Sequence, residues 1–343
     1  MHYTFLVGGI IILFLVFSDI INTTLTPHGG GKITLHFSRY SWKLYLFLSK
    51  NYGGNKILNL SGTLITSQII MIWILLLWVG YFLIFVFDPE SVVNSTTGQQ
   101  AGITDKFYFI GYTLSTLGYG DYHGGTPFWR VFTSLISFSG LILITIAITY
   151  IVPINSAEIA KRKLSTYIAA LGTSPQEILL NAWNGENFKA LNDHFHELTD
   201  MILTNGQNNL AYPILYYFHT SNKTEAGPVN ISALDEALTI LICYIPNELQ
   251  PDRQYVYPLR KSITAYLNTL SIASIRPEKE APNLPDLSML VRAGVPLKEH
   301  DTYQDDFESL QDRRKMLKAL LQNDGWKWDE MVSPKYYDDF VVD

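Results

Sequence analysis

The chain has 343 residues, and its 48% hydrophobic against 16% charged content departs from soluble domains, where about a quarter of residues are charged. A net charge of −6 excludes a basic nucleic-acid footprint, and the single cysteine, Cys243, excludes an intrachain disulfide framework. The charge is uneven, with seven Lys/Arg and five Asp/Glu in residues 1–152 but 18 and 26 in residues 153–343, so two dissimilar domains are expected.

The first element is Phe5–Phe17, "FLVGGIIILFLVF", thirteen apolar residues that reach at most to Ile21 and take in Asp19. No Lys or Arg precedes it and no small-residue cleavage site follows it, so a retained membrane helix is expected rather than a signal peptide. An acid this close to a span needs hydration or a partner. Asp19 is expected to snorkel to the inner interface, the alternative being a pair with a lysine of 32–56. "HGGGK", 28–32, lacks phosphate-loop spacing and reads as a flexible connection.

Residues 22–61 carry Lys32, Arg39, Lys43, Lys50 and Lys56 and no acid. Within them "YSWKLYLFLSKNY", 40–52, mixes Trp42, Tyr45, Tyr52, Lys43 and Lys50, a pattern suited to a short helix along a membrane interface. Next comes Leu64–Phe87, 24 residues without a charge, long enough as a helix of roughly 36 Å to cross a bilayer. Val131–Ile154 has the same length and is also uncharged, and Pro153 is expected to terminate or kink it. Between the two spans, 88–126 holds Asp88, Glu90, Asp105 and Asp121 against Lys106 alone. With Lys161-Arg162-Lys163 after the last span, the positive-inside bias puts 22–61 and the C-terminal region in the cytoplasm and the N-terminus outside.

The segment "TDKFYFIGYTLS", 104–115, predicts a short helix with Thr104 as N-cap and Asp105 on the positive end of its dipole. Too short to span, it must be re-entrant, and such backbone survives at membrane depth only when buried in protein or lining water. Then follows "TLGYGD", 116–121, extended chain whose glycines permit angles that align successive carbonyls. A ring of such carbonyls from several subunits replaces the water around a dehydrated cation.

These residues resemble the potassium-channel family, bacterial type, whose pore motif is Thr-Val-Gly-Tyr-Gly-Asp. Thr116, Gly118, Tyr119, Gly120 and Asp121 match, and Leu117 stands in place of valine. The resemblance implies a pore-loop potassium-channel fold over residues 63–152, and the hydropathy pattern adds an N-terminal helix and a mostly α-helical cytoplasmic domain, so an all-α membrane protein is expected. It implies potassium contacts from the Thr116 hydroxyl and the carbonyls of Thr116, Leu117, Gly118 and Tyr119, with Gly120 completing the filter. Asp121, Tyr108, Phe109 and Tyr112 would support it, the Tyr119 ring facing Tyr108 and Phe109. Tyr112 occupies a position where some bacterial members carry glutamate, so any inactivation that depends on that carboxylate should change. Gly140 falls where many members have a hinge glycine, close helix packing being the other reading. Leu141, Ile144, Ile148 and Val152 form an apolar stripe that suits either a pore lining with a dewetting gate or lipid. One filter per chain implies a homotetramer in the bilayer, passive conduction and no enzyme, with potassium as permeant ion and no other metal or cofactor. No segment repeats Arg at every third position, so a voltage sensor is not expected. A potassium-transporter subunit and a membrane-anchored sensor or scaffold with a vestigial pore are the competing functions.

The expected domains are therefore 1–22, the N-terminal helix; 23–62, a basic linker with an interfacial helix; 63–154, the pore region; and 155–343, the cytoplasmic domain. In the last, three apolar faces have helical spacing: Phe188, Leu191, Phe195, Leu198 and Ile202; Leu234, Leu238, Leu241 and Ile245; Leu259, Ile263, Tyr266 and Leu270. Ser174-Pro175-Gln176-Glu177 is a capping-box start. Loops are expected over 220–230 and 276–286, the second hinging a helical tail at 304–322. His194 and His196, two apart, suit no common metal, and "DRRKMLK", 312–318, reads as a solvated helix face. No nucleotide-binding turn is present, so any cytoplasmic ligand or partner of 155–343 stays unidentified.

Overall fold

A computed structural model describes residues 2–27, 29–52, 55–270, 275–298 and 304–333. His28 of the "HGGGK" stretch and the side chains of Tyr52 and Lys56 lie outside the described residues. Thirteen α-helices are described and one two-stranded antiparallel sheet, so the chain is an all-α protein in class. Three helices contain segments long and apolar enough to cross a membrane: Tyr3–Thr24, Ile57–Phe87 and Pro127–Leu171. The chain divides into two compact units, one of residues 1–41 and 63–155, the other of 42–62 and 156–343.

The first unit is built on α1 (His2–Thr24), the start of α2 (Lys32–Tyr52), most of α3 (Asn55–Phe87), α4 (Ile103–Leu114) and the first part of α5 (Pro127–Leu171). Two glycines bring α1 onto α3. A Cβ on Gly9 would fall 2.6 Å from the Gly80 carbonyl oxygen, and one on Gly80 would fall 2.7 Å from a Leu13 methyl. Small residues let membrane helices approach closely where no water drives them together. The short strands β1 (Val92–Asn94) and β2 (Tyr122–Gly124) pair Val92 with Gly124 and Asn94 with Tyr122.

Asp19 departs from both expectations. It neither snorkels nor pairs with a lysine; it is 3% exposed and serves the start of α2. Its Oδ1 accepts the Ile33 N–H at 2.7 Å, and its Oδ2 accepts the Thr34 hydroxyl at 2.6 Å and the Trp73 indole N–H at 3.0 Å. The positive end of α2, with its free N–H groups, supplies what a counter-ion would otherwise supply. Gly31 is required beside it, since a Cβ there would lie 2.0 Å from Asp19 Oδ1.

Pro153 does not terminate its helix: α5 runs on to Leu171. One missing N–H is tolerated in a long membrane helix, where neighbouring groups re-satisfy the freed carbonyl.

The second unit surrounds α8 (Gly227–Tyr244), seventeen of whose eighteen residues are buried. Around it lie α6 (Pro175–Ala182), α7 (Leu191–Ala211), α9 (Arg253–Thr269), α10 (Ser288–Arg292), α11 (Gln304–Ser309), α12 (Gln311–Asn323) and α13 (Trp328–Val332), with α7 and α9 packed most extensively. All three apolar faces read from the sequence are buried in one core. Ser174 caps α6 by accepting the Glu177 N–H at 3.2 Å, while Glu177 reaches back to the Thr173 N–H at 2.8 Å, one residue earlier than a standard capping box. The loop at 276–286 is present, but that at 220–230 ends at Ala226, where Pro228 sits in the first turn of α8.

The expected tail is no tail. Leu317, Leu320 and Leu321 of α12 belong to the core, and "DRRKMLK" is not a solvated face. Arg313 holds the fully buried Asp235 with contacts of 2.8 and 2.6 Å, and Arg314, itself 0% exposed, holds Glu236 at 2.8 Å. Arg260 is the second cation on Asp235, at 2.8 Å. Burial pushes the Asp235 carboxyl up, but Arg260 and Arg313 outweigh it and hold it below the usual carboxylate range.

The α2 segment from Trp42 belongs to this unit. Trp42 donates to the Asn323 carbonyl at 3.0 Å and meets the Tyr217 ring at a tilt, 5.9 Å between centroids, while Lys43, Leu44, Phe47 and Lys50 stay exposed. His194 bonds the Tyr167 hydroxyl at 2.8 Å and His196 is exposed.

Candidate functional site

The site is assembled at the C-terminal end of α4. That helix starts two residues before the position a Thr104 cap implies, and Thr104 is not its cap. Gly102 is the N-cap, and the Asp105 carboxylate turns back to accept the Gly102 N–H at 3.0 Å. Glycine offers no capping oxygen, so only the reciprocal half of a capping box is made, from the acid at the third helical position to the Gly102 N–H.

Three anchors fix α4. Trp78 donates to the Phe107 carbonyl at 2.9 Å and stacks on the Phe107 ring at 4.5 Å. Gly111 allows this approach, because a Cβ there would fall 2.5 Å from the Trp78 ring. Lys106, 4% exposed, donates to the carbonyls of Phe85 at 3.0 Å and Asp88 at 2.6 Å, closing the end of α3. The third anchor is Gly140 on α5, where a Cβ would lie 1.9 Å from the Leu114 carbonyl oxygen.

"TLGYGD" leaves α4 directly. The Thr116 N–H donates to Thr113 at 3.0 Å and the Leu117 N–H to Tyr112 at 2.9 Å, tying the first two amides inward. Thr116 has φ +60°, Gly118 +57° and Gly120 +81°, so every second residue is left-handed. Glycine takes these angles freely. Thr116 does not, and it is the sole non-glycine with positive φ among the described residues. A β-branched residue held there is strained, and such strain collects at functional positions.

Beyond the segment, the turn after β1 clamps its exit: the Ser95 N–H donates to the Asp121 carbonyl at 2.8 Å. Arg130 on α5 donates to the Gly124 carbonyl at 3.1 Å. Tyr119 meets two rings, Tyr108 stacked at 6.5 Å and Tyr112 edge-on at 6.2 Å. The Tyr112 hydroxyl donates to the Tyr122 carbonyl at 2.8 Å, bracing the segment from start to exit. Phe109 packs instead against Phe85 at 5.8 Å and Tyr112 at 5.4 Å. Leu117 is 60% and Tyr119 67% exposed in the single chain. On α5, Leu141, Ile144, Ile148 and Val152 are all exposed as one stripe.

Sequence reasoning missed Lys106, Trp78 and Gly111. Lys106 alone left a signal, as the one base in an acidic loop.

Residues 68–156 match the family model described as ion channel. The protein is 33% identical over 337 residues to the uncharacterized membrane protein YdjJ of Bacillus subtilis (strain 168), a match covering 96% of each chain. The chain belongs to the two-transmembrane ion-channel family. No solved structure matches it. The channel match takes in α4, "TLGYGD" and the exposed stripe of α5. Similarity to the Bacillus subtilis protein extends over almost the whole length, the second unit included. This is a membrane ion-channel protein whose second helical unit has no counterpart in the channel match.

Proposed function

We propose that four copies of this chain form a potassium-selective pore through which the ion flows passively, with Thr116–Gly120 as the selectivity filter. The observation that carries the reading is the left-handed backbone at Thr116, Gly118 and Gly120, alternating with Leu117 and Tyr119. Such alternation turns successive carbonyls to one side, and the inward amide bonds of Thr116 and Leu117 support a carbonyl face directed away from α4. Rings of carbonyls at that spacing replace the hydration shell of potassium. The C-terminal end of α4 adds partial negative charge behind them.

The exposure of Leu117 and of the α5 stripe supports further protomers completing the pore, since a fourfold ring needs one filter from each. The stripe would line the conduction path. Tyr108, Tyr112 and Asp121 would hold the filter from behind, and Gly140 would lock α5 onto α4. The basic segments favour a cytoplasmic 22–61 and second unit by the positive-inside bias, with Lys43, Leu44, Phe47 and Lys50 forming an amphipathic face suited to the inner membrane surface. Reversal potential in planar bilayers tests the reading: a potassium gradient against sodium should reverse near the potassium limit, and Gly118→Ala should abolish the selective current.

A further inference from the structure

In the first unit α1 and α3 run antiparallel. The Tyr3 and Phe87 rings lie 5.3 Å apart at one end, Gly9 meets Gly80 further along, and Asp19 meets Trp73 beyond that. The first turn of α2 is tied to the same point, through the Ile33 and Thr34 N–H groups on Asp19. Trp73 and Phe87 are separated on α3 by about 21 Å of helix. A hydrocarbon core is about 30 Å thick. So α2 starts at the depth of the leaflet remote from Phe87, not clear of the membrane.

Two cations stand on these opening turns. Lys32, His36 and Arg39 fall at i, i+4 and i+7 and share one helix face. Lys32 and His36 are exposed, and Arg39 is half-buried. The His36 ring is engaged, its Nδ1–H donating to the Lys32 carbonyl at 2.7 Å. Lys32 and Arg39 are not: among the described residues neither side chain makes a hydrogen bond or an ion pair. At Arg39 only Nε is sealed from solvent, which leaves the two terminal guanidinium nitrogens open to a ligand. Asp19 cannot serve them, being taken by the α2 amides, Thr34 and Trp73. At membrane depth a charge needs a partner. Side chains this long snorkel to the headgroups, where phosphate is the anion at hand. Exposed Ile21 and Leu25 at the end of α1, and Tyr40 on α2, offer acyl chains an apolar surface in the same leaflet.

We propose that Lys32 and the terminal nitrogens of Arg39 bind the phosphate of an anionic lipid in this leaflet, which the topology proposed above makes the inner one. A guanidinium takes two phosphate oxygens at once, and Lys32 adds a second charge. A net-negative lipid is preferred because a choline headgroup brings its own cation to a site that already has two. The depth argument rests on α1 and α3 crossing the membrane, not on the ion that the pore selects.

The test is electron paramagnetic resonance of the full-length protein in phosphatidylcholine bilayers carrying a trace of spin-labelled phosphatidylglycerol or of spin-labelled phosphatidylcholine. The fraction of label immobilised by the protein gives the relative affinity of the two lipids. The expected preference for phosphatidylglycerol is about threefold or more, falling close to parity in Lys32→Gln with Arg39→Gln. Lys32→Gln alone, an exposed change that spares the packing of Arg39, should remove part of the preference. Arg162→Gln with Lys163→Gln, two cations after the last span, should leave most of it, and so should excess inorganic phosphate. Equal affinity for the two lipids in the unaltered protein, a ratio unmoved by the changes at Lys32 and Arg39, or the same loss from the control pair or from free phosphate would overturn the proposal. Immobilised label of either kind reports that the spans are inserted, so failure here is distinct from failure of the pore reading, which current measures.

Discussion

The Trp73 indole donates to the Asp19 carboxylate at 3.0 Å, and through that carboxylate α1 and α3 together hold the first turn of α2. Asp19→Ala strands the Ile33, Thr34 and Trp73 donors in a dry interior. Each buried orphan costs about 1–3 kcal/mol, so a total loss of about 3 kcal/mol or more is expected. Asp19→Asn keeps one acceptor and should cost about half as much. Thermal unfolding in detergent checks the ranking, and equal stability of all three proteins would remove the capping role.

At Gly140 the obstacle to a side chain is the backbone carbonyl of Leu114, which cannot rotate away. Gly140→Ala should push α5 from α4 and cost about 1–3 kcal/mol, the usual range for overpacking. A glycine kept for bending alone predicts the reverse, because Ala favours a continuous helix. Unfolding midpoints of the two proteins separate these roles.

Asp235 gives the second unit an acid-sensitive component. Its folded pKa is depressed below the unfolded value, so its contribution is full above the unfolded pKa of about 3.9 and fades as pH falls below that. Asp235→Asn should flatten the pH dependence of stability below about pH 4. At neutral pH the same change leaves Arg260 and Arg313 without their shared anion, at a cost of about 3–5 kcal/mol. Denaturant titrations at several pH values read both effects.

Orientation is open to a direct check, since Cys243 is 0% exposed and should stay silent. With Thr96→Cys in the turn after β1, a membrane-impermeant maleimide should label intact cells. With Lys163→Cys it should label only after the cells are opened. The opposite pattern would invert the topology.

What the sequence disclosed and what it hid divide along physical lines. Long uncharged runs announce spans because charge is so costly in hydrocarbon, and "TLGYGD" stands out because its glycines have no packing purpose in a greasy neighbourhood. The three apolar helix faces of the second unit were legible for the same reason, through a period that one helix fixes by itself. Partners distant in sequence were not. Arg313 and Arg314 resemble any solvated charge run until Asp235 and Glu236, 78 residues earlier, are folded against them. Asp19 was expected at the interface or beside a lysine, yet its partners are backbone amides, the Thr34 hydroxyl and an indole, which carry no letter-code signal for an acid. The helix runs past Thr104 to Gly102, whose N–H is held by Asp105 from inside the helix.

The central claim rests on the left-handed backbone of Thr116, Gly118 and Gly120. Its most direct test is the reversal potential of the purified protein in a planar bilayer, under a potassium gradient opposed by sodium. The account predicts reversal near the potassium limit and loss of that selectivity in Gly118→Ala, whose Cβ disfavours the required φ of +57°. Reversal near zero in the unaltered protein, or a selective current unaffected by Gly118→Ala, would contradict it.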